Sequence, residues 1–346
     1  MESSLKIANP LNYNGWDEKL LASRECTIFH STAWAKVLSE TYQCHPVYFI
    51  LPGKDKFSII VPVMEIKSRL TGYRGVSLPF TDYCDPIINN EYTPFEIISA
   101  ILKHGKEVGW KYYEQRGING FDARIIPSIN FYRHVLVLDK NYENLYRNLK
   151  ESYRRNIKKS IKGNVIISIH NSIASMKEFF RLQCITRKRH GLPPQPYEFF
   201  KKIHEHVISK DYGMIIFASY NGSKIAGAVF LHFGDKVIYK FGASEIKYQH
   251  LRANNLIMWE AIKTYAEKGY KNLSLGRTSL YNEGLRRFKL GWGSKEDILH
   301  YYRYNLIKEQ FVVKRSNETG IHNTIFRNMP IVLSRFIGSK LYKHHG

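Results

Sequence analysis

The chain has 346 residues, 44% hydrophobic and 14% aromatic, so it can fill a sizeable core and a disordered chain is excluded. No apolar run approaches the roughly 20 residues of a membrane-spanning helix, and the first four residues lack the basic and apolar regions of a signal peptide. With 52 Lys and Arg against 30 Asp and Glu, the formal net charge is +22. Such an excess favours nucleic acid, an anionic membrane face or a phosphate-bearing substrate. The alternative is a solvated basic surface.

The four cysteines form no CxxC pair. A zinc site or a disulfide framework is therefore not expected, and we predict buried free thiols in a reducing cytoplasm. No metal is predicted.

Apolar runs and turn residues in the first half of the chain predict a mixed α/β unit. Residues 29–34 open a helix that runs to about Tyr42, and either Ser31 or Thr32 can cap it. The remaining elements are strands at 46–51 and 57–66, a loop-rich segment at 72–86, a helix at 91–107, strands at 111–116 and 132–138, and a strongly basic helix at 141–162.

The order starts again at Val165. Two apolar runs split by Gly234-Asp235 predict a β-hairpin, and apolar residues recur at helical spacing between Asn254 and Lys268. The elements are a strand at 165–169, helices at 173–190 and 197–209, a strand at 214–220, the hairpin, a helix at 254–268, a strand at 272–276, a short helix at 283–289 and a strand at 298–304.

The two halves share an order of elements rather than residues. The pattern of helix, strand, turn and strand at 31–66 parallels the pattern at 197–231. This predicts two copies of one mixed α/β unit. We expect domains at 1–150 and 151–307, and a separate basic amphipathic tail at 308–346.

Six stretches in the second half resemble a known family. They are Tyr153–Lys159, Thr186–Pro196, Lys240–Ser244, Ala253–Trp259, Leu275–Ser279 and Gly284–Gly293. Together they resemble the FemAB/FemX-like acyltransferases, which consist of two GNAT-like domains in tandem. The closest branch is the one found with bacterial polysaccharide genes, often described as carrying a BioF-like acetyltransferase domain. The first half resembles the family less closely, through 29–34 and 79–83.

The resemblance implies an acyltransferase that moves an acyl or aminoacyl group onto an amine of a cell-envelope precursor. It implies two donor classes, aminoacyl-tRNA and acyl-CoA, and no tightly bound cofactor. The GNAT pyrophosphate loop reads Q/R-x-x-G-x-G/A, and its glycines let backbone N–H groups approach the phosphates. In the equivalent stretch 249–254, Arg252 and Asn254 replace both glycines. This departure argues against ordinary CoA binding and leaves room for a tRNA-borne or carrier-protein-borne donor.

Lys289 is the first candidate for a catalytic role, because acyl transfer needs a stabilised oxyanion and a fixed cation is most effective away from water. The resemblance also places Phe288, with Lys289, near the reacting carbonyl. The alternatives are a solvated lysine and a core phenylalanine. No histidine or cysteine forms a recognisable catalytic arrangement, so no general base is assigned, and Cys184 is interpreted as a core thiol.

Arginines and polar residues at element ends are candidates for substrate binding. Arg187 and Arg189 either bind the diphosphate of the acceptor or only complement a helix C-terminus. Arg154 either lines the same groove or lies on a solvated basic face. The other candidates, each with a structural alternative such as a helix cap or an Asx-turn, are Tyr239, Ser244, Asn254, Asn255, Arg277 and Ser279 at the cleft, and Asp82 and Tyr83 from the first domain.

Apolar and basic residues interleave in the tail. Such a segment either lies on an anionic membrane through residues 320–346 or packs on the body of the protein. The expected acceptor is an anionic nucleotide- or lipid-linked sugar, and the expected location is the cytoplasm, at the inner face of the membrane if the tail binds there. The alternative functions are a nucleic-acid (tRNA)-binding protein and a non-catalytic scaffold of a polysaccharide assembly complex.

Overall fold

The computed structural model describes residues 5–23, 25–88, 93–118, 121–122, 124–313 and 321–344. Contacts divide the chain into two compact units. Unit 1 consists of Met1–Phe131, Ile298–Asn317 and Leu341–Gly346, and unit 2 consists of Tyr132–Asp297 and Glu318–Lys340. The first division lies before the expected 150/151 boundary, because Leu136, Leu138 and Leu149 pack into the core of unit 2.

Unit 1 holds two sheets. One has the strand order β1-β3-β4-β7 and the other β15-β8-β6-β5-β2, with β16 paired to β15. The strands are β1 (Lys6–Ala8), β2 (His45–Pro46), β3 (Tyr48–Pro52), β4 (Phe57–Val61), β5 (Met64–Ser68), β6 (Gly72–Val76), β7 (Ile87–Ile88), β8 (Tyr112–Arg116), β15 (Lys295–Asn305) and β16 (Gln310–Phe311), and the helices are α1 (Trp16–Leu21), α2 (Thr32–Tyr42) and α3 (Pro94–Val108).

The helices of unit 1 begin and end where local chemistry satisfies their free backbone groups. Of the two predicted caps, the structure uses Ser31, whose hydroxyl accepts a hydrogen bond from the N–H of Trp34 at the start of α2. Thr93 and Glu96 form a capping box at α3, and Gly109 ends that helix in the left-handed conformation. The apolar face of α3 then packs against β3 and β4 in one buried cluster. The predicted residues 91 and 92 lie outside the described part of the chain.

Unit 2 is built on a sheet in the order β10-β11-β12-β13-β14-β9. The first four strands are antiparallel, and β13 and β14 are parallel. The predicted hairpin is confirmed as β12 and β13, joined at Gly234, whose φ of 58° belongs to the left-handed region. The strands are β9 (Ile129–Val137), β10 (Ile166–His170), β11 (Gly213–Tyr220), β12 (Ser223–Phe233), β13 (Lys236–Ser244) and β14 (Asn272–Ser279).

Helices cover both faces of this sheet. Ala226, Ala228 and Phe230 of β12 pack in one core with α8, whereas the intervening Gly227 faces Phe179 of α6. The helices are α4 (Tyr142–Asn148), α5 (Glu151–Lys162), α6 (Ile173–Arg189), α7 (Tyr197–His206), α8 (Ala253–Glu267), α9 (Glu283–Leu290), α10 (Ile321–Asn328) and α11 (Ile331–Leu341), of which α11 ends one residue beyond the unit.

Two predicted elements differ from the structure. The basic helix expected at 141–162 is two helices, because Leu149 is extended at ψ 144° and its side chain enters the core. The segment expected to be loop-rich at 72–86 begins with strand β6, which pairs with β5 and β8. In both places a tertiary contact overrides the local pattern.

Candidate functional site

Strands β13 and β14 separate along their length. Their parallel ladder joins only Lys236–Ile238 to Asn272–Ser274, although β13 continues to Ser244 and β14 to Ser279. On its other side β13 stays paired with β12, with a bulge that leaves Lys240 unpaired. Beyond the third pair, the sheet therefore opens between these two strands.

A cavity of about 170 Å³ lies at the end of β13, where α8 begins. Ile225, Ala226, Tyr248 and Phe288 give it an apolar side. Its polar lining comes from Ser244, Glu245, Gln249, Arg252, Asn254 and Asn255. Of the predicted site residues, the structure thus brings Ser244, Asn254, Asn255 and Phe288 together, and Asn254 Nδ2 donates to Ser244 Oγ at 3.4 Å.

The first turn of α8 lines this cavity; the N–H of Asn255 already donates to the carbonyl of Arg252 at 2.9 Å, so among the described residues the backbone N–H groups left for a ligand are those of Ala253 and Asn254. The helix has 15 residues, and no side chain caps its N-terminus. Its N-cap is Arg252, at φ 58° and ψ 27°, the left-handed conformation that favours glycine. The backbone therefore adopts the bend of a glycine loop while carrying a cation. Within the described chain the guanidinium of Arg252 has no hydrogen-bond or ion-pair partner, and it is exposed.

Among the described residues that line the cavity, Glu245 is the only carboxylate, and its charge is already neutralised. Burial works against ionisation of Glu245, but hydrogen bonds from Arg181 and Lys247 lower its pKa below the ordinary value. Arg181 Nη1 lies 3.0 Å from Glu245 Oε1, and Lys247 Nζ lies 3.3 Å from Oε2. The positive end of α8 and Arg252 therefore set the local field, which favours an anion.

Lys289 lies beneath the site rather than in the cavity. It is 3% exposed, and its ammonium donates to the carbonyls of Gly276 at 3.1 Å and Arg277 at 2.8 Å, on the free end of β14. Adjacent residues of a helix point about 100° apart, so Phe288 reaches the cavity and Lys289 reaches the strand. The hydroxyl of Tyr153 donates to the carbonyl of Phe288 at 2.9 Å and holds this end of α9.

A buried cluster beside Lys289 was not predicted. His134 Nε2 lies 2.9 Å from Glu296 Oε2, and Glu296 also accepts from Arg286 of α9 at 2.9 Å. His134 is fully buried, and Nδ1 has no hydrogen-bond partner within the described residues. The pKa of His134 is lowered mainly by burial and then by the positive charge of Lys289. The partners are 162 residues apart, so no local sequence pattern reports their contact.

The other predicted residues occupy other positions. Arg187 donates a hydrogen bond to the carbonyl of Pro193. Arg189 donates to the carbonyl of Ser244 at 3.4 Å, and Arg154 donates to the carbonyl of Arg147. Tyr239 folds its hydroxyl over Gly242, and burial raises the pKa of Tyr239 to about 12. Ser279 accepts from the N–H of Tyr281 in a turn, and the carbonyl of Arg277 binds Lys289. In unit 1, Tyr83 is in an apolar cluster, and the carbonyl of Asp82 accepts from Tyr301.

Cys184 is buried in α6, and burial raises its pKa to about 11. A thiol is a nucleophile only as the thiolate. The burial of its side chain therefore agrees with the interpretation of Cys184 as a core residue.

Residues 147–290 match the family model for the acetyltransferase (GNAT) domain. This segment is similar to a GNAT acetyltransferase domain. It contains the separating strands, the cavity and Lys289, and the α8 N-terminus is where the sequence placed the donor loop of the GNAT domain.

Solved structures with the same fold extend over most of the chain. FemX has a TM-score of 0.65 at 12% identity, covering 86% of this chain and 96% of FemX. The C-terminal domain of a candidate lysylphosphatidylglycerol synthetase from Agrobacterium fabrum has a TM-score of 0.53 at 12% identity, covering 78% of this chain and 86% of that domain. A tandem GNAT protein from the clavulanic acid biosynthesis pathway has a TM-score of 0.52 at 5% identity, covering 88% of this chain and 99% of that protein. No curated protein matches the chain significantly.

The predicted fold class, mixed α/β with two tandem GNAT-like domains, is confirmed by these comparisons. The resemblance to the FemAB/FemX-like acyltransferases is confirmed at the level of the fold. In the part of the chain that the structure describes, no helix combines the length and the apolar character needed to cross a bilayer.

Proposed function

We propose that this chain transfers an activated acyl or aminoacyl group onto an amine of a cell-envelope precursor, with the donor's phosphates at the N-terminus of α8. The observation that carries the proposal is the uncapped start of this helix, which opens into a cavity beside the unpartnered cation Arg252. Backbone N–H groups, the helix dipole and a guanidinium together recognise a phosphate. The GNAT family of residues 147–290 supplies the reaction class.

In the proposed reaction, the amine nitrogen attacks the carbonyl carbon of the donor. A carbon–nitrogen bond forms, the bond from carbon to the donor's oxygen or sulfur breaks, and the amine proton leaves with the leaving group or with solvent. The acyl group would lie in the opening between β13 and β14. Lys289 would act by its charge, which lowers the energy of the oxyanion through a medium of low dielectric constant while its N–H groups hold β14.

The cluster around His134 would position Lys289 rather than touch the substrate. Glu296 joins β15 to Arg286, and Arg286 lies one turn before Lys289 on α9. This ion pair fixes the rotation of the helix, and with it the direction of both Lys289 and Phe288. We therefore assign His134, Glu296 and Arg286 as positioning residues.

The donor and the acceptor are proposed by chemical class. An arginine at the first glycine position of the loop favours a donor with accessible phosphate groups, and aminoacyl-tRNA fits this better than acyl-CoA. The resemblance to FemX-like enzymes, and the aminoacyl-lipid chemistry in the name of the Agrobacterium fabrum protein, support an envelope acceptor. An anionic nucleotide- or lipid-linked sugar in the cytoplasm would suit a chain of charge +22.

The decisive experiment is mass spectrometry of the surface glycan and the peptidoglycan from a strain that lacks this chain. We expect an acyl or aminoacyl mass to be missing from one polymer and to return with the wild-type chain. The Arg252→Gly variant should restore it only in part. An unchanged mass in both polymers would contradict the envelope proposal.

Nucleic-acid binding without catalysis is the second candidate. The outer face of α5 exposes Arg155, Lys158, Lys159 and Lys162, while Ile157 and Ser160 of the same helix are buried. Such a face attracts any polyanion in a salt-dependent manner. If the purified chain binds tRNA but transfers no acyl group from aminoacyl-tRNA or acyl-CoA to any envelope amine, this candidate, or the scaffold, replaces the enzyme.

A further inference from the structure

Helices α10 and α11 are fixed to unit 2 by direct backbone contact. A Cβ on Gly338 of α11 would lie 2.2 Å from the carbonyl oxygen of Pro194, and a Cβ on Gly191 would lie 2.1 Å from that of Asn323 in α10. Ser334, one turn before Gly338, is 1% exposed. The two helices therefore form a built surface of the protein rather than a loose arm.

The opposite side of these helices exposes large apolar side chains. Val332 is 77% exposed, Phe336 61%, Ile325 52% and Leu333 48%. Val332 and Phe336 are four residues apart and lie on one stripe of α11. Single exposed apolar residues are ordinary on a protein surface, but Val332, Leu333 and Phe336 lie within five successive residues of one helix and form a patch that indicates a binding surface.

The charged side chains of these two helices are all of one sign. After Glu318 the sequence contains no acidic residue, whereas Arg327, Arg335, Lys340 and Lys343 are distributed along both helices. Lys340 follows Phe336 on the stripe, with its ammonium 5.9 Å from the phenyl ring centroid. Arg335 turns to the other side and lies over the ring of Phe180, at 5.1 Å. Cations next to exposed apolar side chains match a partner surface that has negative groups outside and an apolar layer beneath them.

A second copy of this chain is a poor occupant, because each copy carries a net charge of +22 and would bring cations against cations. An anionic lipid surface supplies both complements at once. Its headgroups neutralise Arg327, Lys340 and Lys343, and its acyl chains receive the apolar side chains to a depth of about 5–10 Å.

We infer that α10 and α11 dock the protein on an anionic membrane, with Val332, Leu333 and Phe336 inserted and the lysines at the headgroups. The surface stands apart from the α8 cavity in its residues, so this inference does not depend on the donor or on catalysis. It would keep the enzyme at the place where lipid-linked acceptors occur.

The test is co-sedimentation of the full chain with vesicles of phosphatidylcholine, with and without phosphatidylglycerol. We expect binding only to the anionic vesicles, and weaker binding at high salt. The triple variant Val332→Ser, Leu333→Ser and Phe336→Ser should lose about tenfold or more of the partition coefficient. Lys340→Gln with Lys343→Gln should lose about fivefold for each cation.

The matched control is Leu70→Ser, Ile126→Ser and Ile307→Ser, three apolar residues exposed at 71%, 68% and 72% in turns and loops away from α10 and α11 in sequence. This control should bind as the wild type does. Equal binding by the α11 triple variant, or an equal loss in the control, would overturn the inference. So would a wild-type dimer in sedimentation velocity that the α11 triple variant abolishes, because the patch would then serve a second copy. Thermal unfolding of both triple variants verifies that they fold.

Discussion

The GNAT-like segment 147–290 presents two cations near its candidate site in contrasting settings. Lys289 is 3% exposed and hydrogen-bonded to two strand carbonyls, whereas Arg252 is exposed, has no partner among the described residues and stands on a left-handed backbone. The first is held by the fold, and its removal should disturb the fold. Arg252 strains the local backbone and makes no contact that would stabilise the fold, so we expect it to contribute to ligand binding.

The largest effect is expected for Lys289→Met. The substitution leaves the carbonyls of Gly276 and Arg277 without their donor in a buried place. The free energy of unfolding should fall by about 3 kcal/mol, measured by urea denaturation, and acyl transfer should be lost. Lys177→Met, on the exposed side of α6, should change stability by less than about 0.5 kcal/mol. If the two variants unfold alike, Lys289 does not anchor the end of β14.

Arg252→Gly should separate stability from binding. Glycine adopts φ 58° without strain, so the free energy of unfolding should rise by about 0.5–1 kcal/mol. Loss of a charge-assisted contact to the donor phosphate should raise the KM for the donor about tenfold and leave kcat nearly unchanged.

Asp211 provides the matched control, because its φ of 58° and ψ of 26° nearly equal those of Arg252, and it does not line the cavity. Asp211→Gly should therefore change stability in the same direction, by less because Asp tolerates this conformation better, and leave the KM unaltered. An equal rise in KM in both variants would show that Arg252 acts only through the backbone.

A third, smaller effect concerns pH. Burial and Lys289 hold the pKa of His134 below its ordinary value, so the unfolded chain takes up the proton first. This contribution to stability is complete above about pH 6.5, the ordinary histidine value, and decreases as the pH falls toward the lowered pKa. His134→Gln cannot titrate, so its unfolding free energy should decline less with acid. Denaturation curves across this range measure the difference, and parallel curves would contradict it.

The smallest effect is expected where water surrounds the charges. Glu143 and Arg147 form an i,i+4 pair on α4, with side chains 66% and 73% exposed. Glu143→Gln should change the free energy of unfolding by about 0.5 kcal/mol or less. A large loss in thermal unfolding would mean that exposure is a poor guide to which of these cations the fold requires.

The sequence predicted the elements whose signals are local. The hairpin around Gly234 and the helix at 253–267 follow from apolar periodicity and from glycine at turns and helix ends. The same reasoning failed at Leu149, where a side chain needed by the core interrupts a basic helix. The positive charge of residues 141–162 correctly predicted an exposed surface. It could not show that Leu149 would pack into the core and interrupt the helix.

The site was predicted in part for the same reason. Ser244, Asn254, Asn255 and Phe288 come together because they lie at element ends that the GNAT-like order brings to one place. That order could not show that Phe288 and Lys289 point in different directions, since their orientation depends on the rotation of α9. His134 and Glu296 meet only through distant strands, so no motif contains both.

The short ladder between β13 and β14 has a consequence for solvent exchange. Alternate amides of an antiparallel strand face opposite neighbours, so along β13 those directed to β12 are protected on both sides of the bulge at Lys240. Beyond Ile238, the amides on the other side find no partner in β14. Deuterium should therefore exchange into this strand in an alternating pattern. A ligand bound in the opening would slow exchange only at the amides of β13 that face β14.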